Sequence, residues 1–213
     1  MERLAIFDVD FTLTSKETLA EFYLFVLKKN PKYIKYLPGI LSSSLLYGCK
    51  IYDERKVKER VIAFINGIEE KDIQRTVKEF YHKVLNKILY KDALDIIKKM
   101  KKEGYKIILI SASPELYLKE LYNIKEVDLV MGSKFHCNDG KYVNKMMGEN
   151  CKGEEKVRRL KAYLKEENIE VDFKESHMFS DSLADAPLLD LVGHPHLINF
   201  KKKHNKYEIL NWK

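Results

Sequence analysis

The hydrophobic residues of this chain follow different periods in different parts of its length. The run "RLAIF" at residues 3–7 is short and almost continuously apolar, which predicts a buried strand. Between about residues 15 and 88 the apolar positions recur at three- and four-residue intervals, as in "ETLAEFYLFVLKK". This spacing predicts four amphipathic helices and no strand. From about residue 89 onward, helical stretches alternate with apolar strands such as "YKIILISAS".

The alternation of helices and apolar strands predicts an α/β fold with a parallel sheet and right-handed crossovers. The four-helix stretch interrupts that pattern between the first strand and the next. We therefore predict a Rossmann-like core formed by residues 1–14 and 89–213, with an inserted all-helical cap at 15–88. A chain of 213 residues is long enough for one domain with such an insert.

Composition is that of an ordinary globular protein, with 45% hydrophobic and 33% charged residues. The three cysteines are far apart and form no CxxC pair, which argues against a disulfide framework or a zinc site. The charged first residues do not resemble a signal peptide, and the longest uncharged stretch, 36–49, has only 14 residues. These features predict a cytoplasmic protein.

The net charge of +7 is concentrated in the predicted cap, where residues 15–88 hold 15 Lys or Arg and 9 Asp or Glu. A basic excess suggests an anionic partner: nucleic acid, a membrane surface or a phosphorylated substrate. We find no RNP-like, helix-turn-helix or zinc-finger pattern, so we do not expect a nucleic-acid partner.

Polar residues follow three of the predicted strands. Asp8 and Asp10 come after the first, in "AIFDVDFTLT", and alternate residues of a strand point to the same side. Ser111 ends the second strand, and Asp181 and Asp185 follow the strand in "SHMFSDS". Ligands of open α/β sheets bind beyond these carboxyl ends, so the acids are expected to meet there. A Mg²⁺ ion would offset their repulsion.

These residue types suit phosphoryl transfer through an aspartyl-phosphate. Asp8 is placed to attack phosphorus, and Asp10 to protonate the leaving oxygen and later activate water. Ser111 and nearby backbone N–H groups would hold the phosphoryl oxygens. Lys152, which stands before Gly153 at a predicted helix start, would neutralise their charge.

The four segments "DVDFT", "ISAS", "CKGEEKV" and "FSDSLADAPLL" resemble, in order and spacing, the motifs of the haloacid dehalogenase superfamily. The helical insert is similar to the cap of its phosphoserine-phosphatase-like subclass. The resemblance implies a phosphatase that binds Mg²⁺ through Asp8, Asp181 and the main-chain carbonyl of Asp10, with Asp185 supporting either the metal site or Lys152. It also gives Thr12 and Ser111 a role in binding phosphate or in ordering a loop, and it implies phosphate- or substrate-binding roles for Ala112, Glu17 and Arg60.

Departures from phosphoserine phosphatases leave the substrate open. Ser180 replaces a usual glycine, Phe11 replaces a small residue, and "SAS" replaces Ser-Gly-Gly. Several stretches look closer to a branch that includes phosphatidylglycerophosphate phosphatases. The expected activity is hydrolysis of a small or amphiphilic phosphorylated metabolite, with a phosphotransferase or a lipid phosphatase as the alternatives.

The cap segment 23–52 has two interpretations. It contains five lysines, five tyrosines and no acid around a leucine-rich centre, which suits peripheral contact with a membrane interface. Alternatively, its apolar residues pack a small core inside the cap, and the lysines are simply solvated. This second interpretation assigns core positions to Leu37, Ile40, Leu41, Leu45 and Leu46.

Overall fold

A computed structural model describes all 213 residues of the chain. Its seven strands are β1 Arg3–Phe7, β2 Tyr105–Pro114, β3 Leu129–Asn138, β4 Lys141–Met147, β5 His177–Ser180, β6 His194–Ile198 and β7 Glu208–Leu210. They form one sheet in the order β4-β3-β2-β1-β5-β6-β7. Every pair is parallel except β3–β4, an antiparallel hairpin at one edge. The predicted α/β fold is confirmed.

β1 lies at the centre of the sheet because both of its faces are apolar. Ala5 and Phe7 belong to one hydrophobic cluster, and Leu4 and Ile6 belong to a second on the opposite side. The strand pairs in parallel with β2 and with β5, and Phe7 lies level with a residue of each neighbour. The carboxyl ends of these three strands therefore meet at one edge of the sheet, where the acids that follow the strands were predicted to meet.

Eight helices flank or cover the sheet. They are α1 Thr18–Lys29, α2 Leu37–Gly48, α3 Glu54–Val61, α4 Glu70–Lys83, α5 Lys91–Lys102, α6 Glu115–Leu118, α7 Glu154–Glu166 and α8 Ala186–Leu189. The first four follow one another between β1 and β2, where the sequence predicts helices only. α6 and α8 are each a single turn extended by a 3₁₀ turn, and β7 is a strand that the sequence analysis did not predict.

The helical insert packs directly on the sheet layer and shares its hydrophobic cluster. The ring of Phe22 on α1 lies 5.1 Å from that of Tyr117 on α6, measured between centroids, and Phe80 on α4 lies 5.7 Å from the same ring. The β3–β4 hairpin adds a polar anchor, because the Glu70 N–H donates to the Gly140 carbonyl at 2.8 Å. These contacts fix the insert over the carboxyl edge of β1, β2 and β5.

Candidate active site

A cavity of about 290 Å³ lies between the helical insert and the carboxyl ends of β1, β2 and β5. Among the residues that line it are eight predicted site residues: Asp8, Asp10, Glu17, Ser111, Ala112, Lys152, Asp181 and Asp185. Two other predicted residues do not line it: Thr12 is buried beneath the loop, and Arg60 is exposed on α3. The structure thus brings most of the predicted set into one space.

The loop after β1 is held by hydrogen bonds to a single carbonyl. The N–H groups of Thr12, Leu13 and Thr14 donate to the Val9 oxygen at 3.2, 2.8 and 2.9 Å. Leu13 and Val9 are fully buried, which anchors this turn below Asp10. The Thr12 hydroxyl accepts the N–H of Asp181 at 2.8 Å, so it ties the β1 loop to the β5 loop. Thr12 does not face the cavity and instead orders the loops that carry the acids, which is one of the two roles that the resemblance allowed.

The carboxylate of Asp10 is oriented by two residues that are absent from the predicted site. Oδ1 accepts both the N–H and the hydroxyl of Thr18, at 2.7 and 2.6 Å. Oδ2 accepts the hydroxyl of Ser113 at 2.6 Å. Ser113 lies two residues after Ser111, so it shares that residue's side of β2, which was the available sequence signal. The sequence signal for Thr18 was weaker: it is a polar residue beside Leu19 in the apolar start of α1.

Lys156, on α7, is the lysine that contacts Asp8. Its ammonium donates to Asp8 Oδ1 and to Asp185 Oδ2, both at 2.7 Å, and its side chain is 1% exposed. The Ser180 hydroxyl also donates to Asp185 Oδ2, at 2.8 Å. Asp185 therefore acts on Asp8 through a shared ammonium group, which fits a supporting role.

The start of α7 explains why Lys156, and not Lys152, reaches Asp8. Gly153 precedes the helix with φ 56° and ψ −126°, a conformation that strongly favours glycine. The helix begins at Glu154, so Lys156 falls in its first turn on the buried side, one helical turn before Leu160. This helical spacing within an apolar stripe was a sequence signal for Lys156. Lys152, the phosphate-side lysine predicted from the sequence, instead pairs its ammonium with Glu54.

Burial and repulsion by neighbouring acids raise the pKa values of Asp8 and Asp181. Burial raises the pKa of Asp8 to about 7, with the Lys156 ammonium opposing the shift and Asp185 and Asp10 adding to it. Burial, followed by Asp185, raises the pKa of Asp181 to about 6. Although burial opposes it, the carboxylates of Asp8 and Asp185 raise the pKa of Lys156. The site is therefore short of positive charge.

The helical insert contributes a charged wall to the cavity. Lys58 of α3 donates to the Ala112 carbonyl at 2.8 Å and to Asn150 Oδ1 at 2.9 Å, and it pairs with Glu54 Oε1 at 2.8 Å. Glu17 caps α1 and accepts the Ala20 N–H at 2.6 Å. Lys58 thus occupies the cap-side cationic position for which the sequence suggested Arg60.

The free oxygens of the site suit Mg²⁺. Asp8 Oδ2, both carboxylate oxygens of Asp181 and the main-chain carbonyl of Asp10 accept no hydrogen bond from another residue. No cluster of three or more His, Cys, Asp or Glu side chains is arranged to enclose a metal. Two carboxylates and one carbonyl match a hard cation that takes few oxygens from protein and retains water. The donor set therefore fits the predicted cation.

A parallel sheet that gathers acids and a buried lysine at its carboxyl edge, beneath a helical insert, defines the class of capped α/β hydrolases. The chain belongs to the haloacid dehalogenase-like hydrolase family, whose model matches residues 5–190. The resemblance suggested by the four sequence motifs is thereby confirmed, and with it the prediction of an enzyme.

Individual relatives agree with this assignment. The probable phosphatase Rv3661 of Mycobacterium tuberculosis is 24% identical over 204 residues, which cover 92% of this chain and 68% of that protein. A protein of unknown function from Bordetella pertussis Tohama I has a TM-score of 0.82 at 20% identity, covering 94% of this chain and 92% of its own. A phospho-aspartyl intermediate analogue of phosphoserine phosphatase has a TM-score of 0.63 at 17% identity, covering 94% and 88%. The fold is that of the phosphoserine phosphatases.

Proposed function

We propose that the chain is a Mg²⁺-dependent phosphatase that hydrolyses a phosphomonoester through an aspartyl-phosphate on Asp8. The observation that carries the proposal is the convergence of Asp8, Asp10, Asp181 and Lys156 in one cavity at the carboxyl edge of the sheet. The similarity to a probable phosphatase and the shared fold with phosphoserine phosphatase support the same reaction class.

The contacts of the two β1 acids divide the work between them. Lys156 holds the Asp8 carboxylate through Oδ1 and so orients it for attack on phosphorus, which forms the aspartyl-phosphate. As the P–O bond to the leaving group breaks, Asp10 gives its proton to the departing oxygen. Asp10 then takes a proton from water, whose oxygen attacks the same phosphorus and releases inorganic phosphate and the Asp8 carboxylate. The hydrogen bonds from Thr18 and Ser113 keep Asp10 in place for both proton transfers.

The metal and the cations have electrostatic roles. Asp8, Asp181 and the Asp10 carbonyl would hold Mg²⁺, which when bound neutralises charge on the acids and on the phosphate. Lys156 keeps Asp8 charged and oriented. The Ser111 hydroxyl lines the cavity and accepts the Ser113 N–H at 3.0 Å, so its own hydrogen is available to donate to a phosphoryl oxygen. Lys58 and Lys152 line the cap side of the cavity, where they suit an anionic or polar group of the substrate.

The substrate that we propose is a small phosphomonoester or the head group of an amphiphilic one, because the cavity holds about 290 Å³ and has a charged cap wall. Three free thiols, two of them exposed, support a reducing compartment such as the cytoplasm. Water is the proposed acceptor. A phosphotransferase would share the intermediate and would instead deliver the phosphoryl group to an organic hydroxyl.

The deciding experiment measures phosphate release from a panel of phosphoserine, sugar phosphates, nucleotides, phosphocholine and phosphatidylglycerophosphate. We expect turnover of at least one compound, its loss in excess chelator and its return with Mg²⁺. Asp8→Asn should lower kcat by at least about a thousandfold, because the amide cannot form the covalent intermediate.

Two results would count against the proposal: near-wild-type turnover by a folded Asp8→Asn variant, or full activity in excess chelator. Added glycerol separates the two reaction types. Hydrolysis releases inorganic phosphate whether or not glycerol is present, whereas transfer makes glycerol phosphate at the expense of released phosphate.

A further inference from the structure

The outer side of α2 exposes large apolar residues to solvent. Leu41 and Leu45, one helical turn apart, are 62% and 70% exposed. Ile34, just before the helix, is 58% exposed, and Ile51, just after it, is 64% exposed. Together these four residues form what we call the cap ridge. Most other exposed large hydrophobic residues of the chain are scattered singly, so the ridge is a local concentration.

The cap ridge contributes nothing to the core of the insert. α2 is anchored by its opposite side, where Leu37 and Ile40 pack against the main hydrophobic cluster and Ser43 is buried with its hydroxyl on the Ile40 carbonyl. The interpretation in which Leu41 and Leu45 pack inside the cap is therefore wrong for these two residues. They are free to contact something outside the chain.

Unpaired positive charge surrounds the cap ridge. Residues 23–52 contain five lysines and no acid, and only one of the five, Lys29, is paired, with Glu79. The remaining four are exposed and form no ion pair: Lys28, Lys32, Lys35 and Lys50. An apolar helix face flanked by cations is complementary to the surface of an anionic bilayer, which offers acyl chains beneath negative head groups.

We propose that the cap ridge docks on the surface of a lipid bilayer that contains anionic lipid. Leu41 and Leu45 would enter the head-group region while the four lysines contact lipid phosphates. A second copy of the chain is a poorer occupant, because a two-fold contact through this face would bring lysines against lysines. No helix combines the length and the apolar composition that a membrane span requires.

Docking would place the cavity close to the membrane. α2 is followed by α3, which carries Lys58 and Glu54 into the cavity wall. The pKa of Lys152 is raised: burial opposes the shift, and the Glu54 carboxylate is its main cause. Tyr47, near the end of α2, is close enough to that lysine to add to the shift. The docked site would favour phosphomonoesters presented at the membrane surface. That consequence rests on the proposed phosphatase function, whereas the docking itself does not.

Co-sedimentation with vesicles tests the docking. The full chain is mixed with vesicles of phosphatidylcholine alone, or with about one third phosphatidylglycerol, at low and physiological salt. We expect binding to the anionic vesicles that weakens as salt rises. Two variants should each weaken binding at least about tenfold: the double variant Leu41→Ser/Leu45→Ser and the triple variant Lys32→Gln/Lys35→Gln/Lys50→Gln. Matched controls are Met147→Ser, an exposed apolar residue on β4, and Lys201→Gln/Lys202→Gln/Lys203→Gln on the core.

The vesicle experiment and the phosphatase assay test the docking and the proposed reaction independently. Leu41 and Leu45 do not line the cavity, so their double variant should keep its melting temperature and its turnover of a soluble phosphomonoester. An enzyme inactive on every phosphomonoester that still bound vesicles would refute the reaction alone. Failure of the wild-type chain to bind at low salt, or unchanged binding by the Leu41/Leu45 variant, would overturn the docking. A dimer that dissociates in this variant, without vesicle binding, would assign the ridge to a second copy.

Discussion

At the scale of single residues, the buried ammonium of Lys156 holds together a group of carboxylates that would otherwise repel one another. It is bonded at 2.7 Å to both Asp8 and Asp185, and these two acids raise its pKa despite its burial. Removing one partner of a buried ion pair costs about 3–5 kcal/mol, since the remaining charge is left without compensation. Lys156 therefore supports both the stability of the fold and the ionised state of Asp8.

Lys156→Met and Lys152→Met test which lysine serves the proposed reaction. We expect Lys156→Met to lower kcat at least about a hundredfold and to lower the melting temperature, because Asp8 and Asp185 then face each other unpaired. Lys152→Met removes a half-exposed partner of Glu54 and should mainly raise KM. Steady-state kinetics and thermal melts of the two variants decide the matter. An inactive Lys152 variant beside a fully active Lys156 variant would restore the assignment made from sequence.

At the scale of secondary-structure elements, the end of β2 is positioned by a close approach of β3. A Cβ atom on Gly132 of β3 would lie 2.7 Å from the Ser113 carbonyl and 2.9 Å from the Glu115 nitrogen. Both neighbours are backbone, so neither can move without shifting the segment that carries the Ser113 hydroxyl to Asp10. The glycine thus links the packing of two strands to the orientation of a proposed catalytic acid.

Gly132→Ala should destabilise the fold by about 1–3 kcal/mol and also lower kcat, although residue 132 does not line the cavity. Gly39→Ala is the matched control, since nothing lies within 4 Å of its Cβ position on α2. Helix propensity predicts a gain of up to about 1 kcal/mol there. Urea unfolding and phosphatase assays of both variants provide the measurements. If Gly132→Ala kept wild-type kcat, Ser113 would not depend on this contact.

A site residue could be predicted from the sequence where a short stretch of the chain determines its position, and could not where its position depends on a helix start or on packing. Asp8, Asp10, Ser111 and Asp181 follow short apolar runs, and a parallel sheet brings such strand ends together whatever the loops do. The choice between Lys152 and Lys156 depends on where α7 begins. The residues around that point are mostly charged, so their pattern locates the start of the helix only to within about one turn. Arg60 and Lys58 lie two positions apart on α3, so only the packing of the insert decides which one faces the cavity.

At the scale of the whole molecule, titratable groups with shifted pKa values lie at both ends of the sheet and have opposite effects on stability. Acids at the carboxyl edge have raised pKa values, about 7 for Asp8 and about 6 for Asp181. Toward the amino ends of β5 and β6, His177 stacks on His194 at 4.5 Å and on His196 at 5.3 Å between ring centroids. Burial, with a smaller contribution from these neighbours, lowers the pKa of His177 to about 4.

The sign of the His177 contribution follows from proton binding. Between its unfolded pKa of 6.5 and about 4, the unfolded chain binds more protons at this residue than the native chain does. The stabilisation is therefore complete above about pH 6.5 and is lost as the pH falls toward about 4. The raised pKa values of Asp8 and Asp181 act in the opposite direction over the same range, because there the native state binds the extra protons.

His177→Phe separates the histidine from the acids, because it keeps an aromatic ring in the stack and removes the titration. The acids contribute equally to both proteins, so their effect cancels in the difference between the two free energies of unfolding. We expect the variant to gain stability relative to the wild type as the pH falls from about 7 to about 4.5. The gain should be well under about 1.4 kcal/mol per pH unit, since the ring is only half-buried. Urea unfolding across this range measures it, with the exposed His82→Phe as the control. A difference that stays constant with pH would show that His177 titrates alike in the folded and unfolded chain.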